Sequence, residues 1–188
     1  MCINDKYGEK MPKIVLNLDQ YFEFEKITNG AFAPLTGFMT ESEFNCVIDT
    51  MRLPSGDLFP IPIFLDISKF DADKIQGKSQ VELIFNDEVI GEIIPNSVFK
   101  PDKKSIVYDF FGTNEKTHPG ILRFMSRGDY FVGGPVLLTK NIDHPVSKYE
   151  LSPAQSKSIF QNHNWGTVAA FHTRNVPHRA HEWLQRMA

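Results

Sequence analysis

Phe171-His172-Thr173-Arg174-Asn175-Val176-Pro177-His178-Arg179-Ala180-His181-Glu182 is the stretch around which the sequence is read. Upstream, Thr167-Val168-Ala169-Ala170-Phe171 is an apolar run of the kind that forms a buried strand. Downstream, a helical pattern runs to Ala188. Asn175 is suited to cap that helix, and Pro177 to sit in its first turn. A strand, a tight turn and a helix N-terminus aim free backbone N–H groups and the helix dipole at one point, which favours an anion.

The side chains suit the same ligand. His178 and His181 are spaced i, i+3 and share one face of the first turn. Arg174 brings a planar fork of donors that matches sulfate or phosphate. One arginine, two imidazoles and several amides thus face a polyanion. Two competing readings make the histidines plain surface residues or zinc ligands. Two histidines with no cysteine nearby do not complete a tetrahedral zinc site, and their joint placement beside Arg174 exceeds what a plain surface requires.

Working outward, Ser152-Pro153-Ala154-Gln155 reads as a capped helix start with proline in the first turn. Helix, strand, turn and helix together form the opening of a doubly wound α/β domain over residues 149–188. Residues 1–148 read differently. Residues 1–12 are expected to be a poorly ordered lead. A short strand at Ile14–Leu16 precedes a helix reaching Lys26. Thr40 and Glu43 form a capping box for a helix whose apolar stripe is Phe44, Val47, Ile48 and Met51. Short strands follow at Ile61–Ile67, Val81–Phe85, Glu88–Ile94, Ser105–Phe110 and Tyr130–Leu138, with Asn86-Asp87 as a hairpin turn. Lys103 and Lys104 read as a solvated turn, and Asn141–Glu150 as a linker. The strand series suggests a small barrel or folded sheet.

Composition sets outer bounds. The 188 residues carry a net charge of −3, a pI near 6.1, 41% apolar residues and 16 phenylalanines. That supports an aromatic core and gives no global field for nucleic acid. Two cysteines fit a reducing compartment rather than a disulfide framework. No apolar leader and no run of eighteen apolar residues is seen, so a cytoplasmic protein without a membrane span is expected.

Four segments resemble one family. Thr173-Arg174-Asn175 followed by His178 and His181, after an apolar strand, resembles the signature of ATP sulfurylase (sulfate adenylyltransferase). Asn29-Gly30-Ala31-Phe32-Ala33-Pro34-Leu35-Thr36-Gly37-Phe38-Met39 resembles a segment near the start of that family. His118-Pro119-Gly120 and Gly128-Asp129-Tyr130 with Gly133-Gly134-Pro135 resemble two more. The resemblance runs from about Asn29 to the end. It departs at His172, which stands where the family has a glutamine that helps hold sulfate.

The resemblance implies a PUA-like domain over 1–148, in an α+β, mainly β fold. It implies the start of a Rossmann-like nucleotidyltransferase domain over 149–188. The family's catalytic domain continues well beyond such a stretch, so the sequence reads as a fragment, a truncation, or a short relative that needs a partner. The implied reaction joins ATP and sulfate to give adenosine 5′-phosphosulfate (APS) and pyrophosphate. Arg174 would hold sulfate with His172 in the glutamine place, Thr173 and Asn175 would orient the triphosphate, and His178 and His181 would donate to the β- and γ-phosphates. Magnesium would accompany ATP with few or no protein ligands. The competing reading is a non-catalytic PUA-like binding module for RNA or a protein partner. The acidic balance argues against RNA, and homo-oligomerisation is left open.

Overall fold

In a computed structural model, residues 11–143 and 145–188 are described. Most of the lead expected at residues 1–12 therefore lies outside the described residues. The chain divides into two compact units, Met1–Lys148 and Tyr149–Ala188.

The first unit opens with β1 (Lys13–Val15) and α1 (Leu18–Thr28). Asn17 starts α1 because its side chain accepts from the Gln20 amide while Gln20 returns the bond to the Asn17 amide. Tyr21, Phe24 and Ile27 form its buried stripe. β2 (Gly37–Phe38) leads into α2 (Glu41–Thr50), where the Thr40–Glu43 capping box forms as expected. β3 (Leu65–Ile67) and α3 (Lys69–Ile75) follow. β4 (Val81–Phe85) and β5 (Glu88–Ile93) make the expected hairpin. Asn86 and Asp87 sit at φ 51° and 63°, the pair of left-handed residues that a two-residue turn matched to strand twist requires. β6 (Ser97–Phe99), α4 (Lys103–Phe111), α5 (Pro119–Ser126) and β7 (Tyr130–Leu138) complete the unit.

β7 is the hub. Its first residues pair with β3 on one side and β6 on the other. Gly134 and Pro135 then pair with β2, and Val136–Leu138 with β5. β5 pairs with β4, which takes β1 in parallel at the far edge. Glycines make this convergence feasible. A Cβ on Gly133 would lie 2.1 Å from the Met39 carbonyl oxygen, and one on Gly37 would lie 1.9 Å from that of Gly134. Gly134 also takes φ +147°, which side chains rarely adopt. The Asn29–Met39 segment is thus a loop exposed over most of Asn29–Pro34, whose end is buried at Leu35, Gly37, Phe38 and Met39 and stitched to β7.

The core is built on phenylalanine. Phe131 of β7 is fully buried and stacks on Phe64 with centroids 4.2 Å apart. Phe44 and Phe99 meet its ring edge-on at 5.5 and 5.7 Å. Such pairs add about 0.5–1.5 kcal/mol each beyond area burial.

Three expectations for this unit are corrected. Ser105–Phe110 is not a strand but lies in α4. Asp102 accepts from the Lys104 and Ser105 amides, and Gly112 closes the helix at φ +68°. Those two ends outweigh a period-2 pattern that also fits helical spacing. The strand expected at Ile61–Ile67 shrinks to β3, since Pro60 and Pro62 have no N–H for a ladder. Lys103 is not a solvated turn residue. It is buried, donates to the Arg127 carbonyl at 2.7 Å and faces Asp129 at 3.5 Å.

The second unit contains α6 (Pro153–Asn162) and α7 (Arg179–Met187). Ser152 caps α6 with Gln155 reciprocating, as the sequence suggests. Thr167–Phe171 forms no strand among the described residues. A parallel strand needs neighbours to pair with, and here Val168 and Phe171 stay exposed. No residue of α6 or α7 is buried.

Gly133→Ala should lower unfolding stability by more than about 2 kcal/mol, because backbone must move to admit the methyl. Gly30→Ala, at φ +84° but in open space, should cost only about 1 kcal/mol. Phe131→Ala should cost about 3–5 kcal/mol. Urea denaturation checks all three.

Candidate functional site

The second unit carries every candidate site residue. α7 begins later than expected. Its N-cap is His178 and its first residue Arg179, so Asn175 does not cap the helix and Pro177 precedes it. The cause is local. Proline at 177 disfavours helical backbone at Val176, and His178 itself is extended at φ −139°, ψ 179°. Asn175 is instead tied back: its amide donates to Thr173 Oγ1 at 3.0 Å, closing a small turn around Arg174.

The two histidines cap the helix between them. The Ala180 amide donates to His178 Nδ1 at 3.3 Å, and the His178 amide donates to His181 Nδ1 at 3.1 Å. The rings lie 3.9 Å apart at 45°, and Phe171 meets His181 edge-on at 5.6 Å. This fixes their chemistry. A ring nitrogen that accepts from an amide carries no proton, so the proton of each neutral ring sits on Nε2. Both rings therefore present an Nε2–H donor, beyond what spacing alone told.

Arg174 and His172 are exposed, and neither makes a hydrogen bond or ion pair among the described residues. Thr173 and His181 are half-buried. The structure thus joins Thr173 to Asn175 and His178 to His181, and leaves the Arg174 guanidinium uncommitted. Chemically this is a set of donors with no carboxylate among its members. Among the described residues, no group of three or more His, Cys, Asp or Glu side chains is placed to hold a metal ion. No described helix is long and apolar enough to cross a membrane.

Comparison with known proteins places both units. Residues 4–141 match the model of the PUA-like domain family. The chain belongs to that family. Residues 147–188 match the family described as ATP-sulfurylase. Both parts of the resemblance read from the sequence are borne out, in the expected order. A sulfate adenylyltransferase of Schizosaccharomyces pombe is 38% identical over 185 residues, which is 96% of this chain and 38% of that protein. Sulfate adenylyltransferases of Pyrococcus abyssi and Halothermothrix orenii are 33% and 34% identical, over 46% and 48% of their lengths. The chain thus spans less than half the length of these curated relatives. Among solved structures, a hexameric APS kinase from Thiobacillus denitrificans aligns with a TM-score of 0.72 at 21% identity. That alignment covers 95% of this chain and 32% of the other, and it supports the fold.

His178→Ala should fray the first turn of α7, costing about 1 kcal/mol of local stability, whereas His178→Asn, a strong N-cap, should largely preserve it. Amide hydrogen exchange at Glu182–Leu184 reads the difference. Equal exchange in all three proteins would contradict the capping role.

Proposed function

We propose that this chain serves sulfate activation, as the amino-terminal part of a sulfate adenylyltransferase that forms APS and pyrophosphate from ATP and sulfate. One observation carries the reading. Within the sulfurylase match, a free arginine stands in a turn just ahead of two histidines that each hold out an Nε2–H donor.

The chemistry needs such donors and no base. Sulfate is ionised at neutral pH. One of its oxygens attacks the α-phosphorus, a new P–O–S linkage forms, and the bond from the α-phosphorus to the β-phosphate oxygen breaks. The electron pair leaves with pyrophosphate, and no proton has to move. Catalysis is then positioning plus stabilisation of charge on the leaving group. Arg174 holds sulfate, with His172 beside it in the place of the family's glutamine. Thr173 and Asn175 orient the triphosphate, and His178 and His181 donate to the departing pyrophosphate. Magnesium enters with ATP, since imidazole and guanidinium groups are poor ligands for a cation that prefers oxygen. A cytoplasmic setting suits the scarcity of cysteine and the free thiol of Cys46.

The test is ATP formation from APS and pyrophosphate, the direction that runs downhill. The chain should produce ATP, and Arg174→Ala should slow it about 100-fold or more without loss of helical circular dichroism. Equal rates would remove Arg174 from the site. No ATP above background would overturn the assignment of this activity to the chain.

A further inference from the structure

A second group of charged side chains lies wholly within the first unit. Its anchor is Asp66 of β3. The Asp66 carboxylate accepts from Gln20 Nε2 at 2.9 Å and from the Gly128 amide at 2.7 Å, and pairs with Arg127 Nε at 3.0 Å. Its oxygens are fully used, so Asp66 is a positioning residue. It fixes Arg127, whose guanidinium also lies over the Phe64 ring, 4.8 Å from the centroid.

What the anchor leaves over is informative. Arg127 Nη2 stands 3.6 Å from Glu23 Oε1 of α1, an ion-pair distance too long for a good hydrogen bond. Glu23 Oε2 and Arg127 Nη2 are both buried and lack a hydrogen-bond partner. Unsatisfied buried polar atoms are uncommon, and each calls for an explanation. Both residues line one cavity of about 340 Å³. Phe22, Phe111 and Phe124 contribute apolar wall, and Asp19 and Arg123 pair beside them.

The chemistry narrows the ligand. A simple anion would meet Glu23 and Asp19. A simple cation would leave Arg127 Nη2 without an acceptor. The fit is a molecule with a donor and an acceptor side by side and an apolar body. Asp19 pairs with Arg123, which leaves Glu23 and Arg127 as the charged groups of opposite sign that line the cavity, so the ligand's donor should be cationic and its acceptor anionic. We propose that this cavity binds a free α-amino acid with a large apolar side chain. Its ammonium group bonds Glu23, its carboxylate bonds Arg127, and its side chain lies among the phenylalanine rings. The volume admits such a molecule, and sites of this kind pair an apolar wall with a few convergent polar groups.

A pH signature follows. Burial pushes the Glu23 carboxyl up to about 7, and Arg127 opposes part of that rise. Below about pH 7 Glu23 holds a proton and cannot pair with an ammonium; above it the carboxylate is ready. Affinity should therefore rise with pH through about 7 and then level. The other charged or titratable groups around the cavity are Asp19 on the same helix, Asp66 on β3, Arg123 on α5, Arg127 beyond α5, and His118 at the start of α5 against Phe111. Glu23→Gln separates its titration from theirs.

The experiment is calorimetric titration of the 188-residue chain with L-phenylalanine, phenethylamine, 3-phenylpropionate and guanosine at pH 6 and pH 8. L-Phenylalanine should bind with a Kd on the order of 1 mM or tighter, more tightly at pH 8. The amine and the acid should each bind at least about tenfold more weakly. Glu23→Gln, a near-isosteric change that removes the charge and turns one acceptor oxygen into an NH2 donor, should abolish both the affinity and its pH dependence. Equal affinity for amine, acid and amino acid would overturn the proposal, as would preference for guanosine or no saturable binding. Since no residue of 172–181 is involved, the outcome is independent of the sulfurylase reading.

Discussion

The first unit depends on one backbone path, that of β7 through Gly133 and Gly134. Four strands hydrogen-bond to its nine residues, and they come so close that added methyl groups would sit within about 2 Å of neighbouring carbonyl oxygens. Only glycine admits that approach. The convergence carries Phe131 into the centre, where Phe44, Phe64 and Phe99 close around it. Loop Asn29–Met39, hub strand and aromatic core are therefore one construction. Gly37 of the loop, like Gly133 and Gly134 of the strand, follows from steric need.

The second unit is organised by a different economy. Its helices bury no residue, and the run Thr167–Phe171 pairs with no strand among the described residues. What order it has comes from caps. Ser152 and Gln155 hold α6; His178 and His181 hold α7. In α7 the capping groups are also the groups that the proposed function assigns to a ligand. Using Nδ1 inside the cap leaves Nε2–H outside, so the same two hydrogen bonds that start the helix also set the polarity of the site.

Local chemistry was legible in the sequence wherever a few adjacent residues decide the outcome. The Thr40 and Ser152 caps and the Asn86-Asp87 turn are of that kind, and so is the i, i+3 pairing of His178 with His181. Misreadings arose where two local patterns compete. Ser105–Phe110 fits either period, and the decision lay with Asp102 and Gly112 at its ends. Asn175 and Pro177 both signal a helix start, yet the extended backbone around Pro177 hands the cap to His178. The Glu23–Arg127–Asp66 group was not legible at all. Its members come from α1, β3 and the turn after α5, and no spacing along the chain announces their meeting.

The most direct test of the site is the ring nitrogen spectrum of His178 and His181, assigned by ¹⁵N–¹H correlation and followed as pyrophosphate is added. The account predicts that both neutral rings carry the proton on Nε2, with Nδ1 unprotonated, and that pyrophosphate shifts the two Nε2 resonances together. Protons on Nδ1, or Nε2 resonances indifferent to pyrophosphate while the chain stays folded, would contradict it.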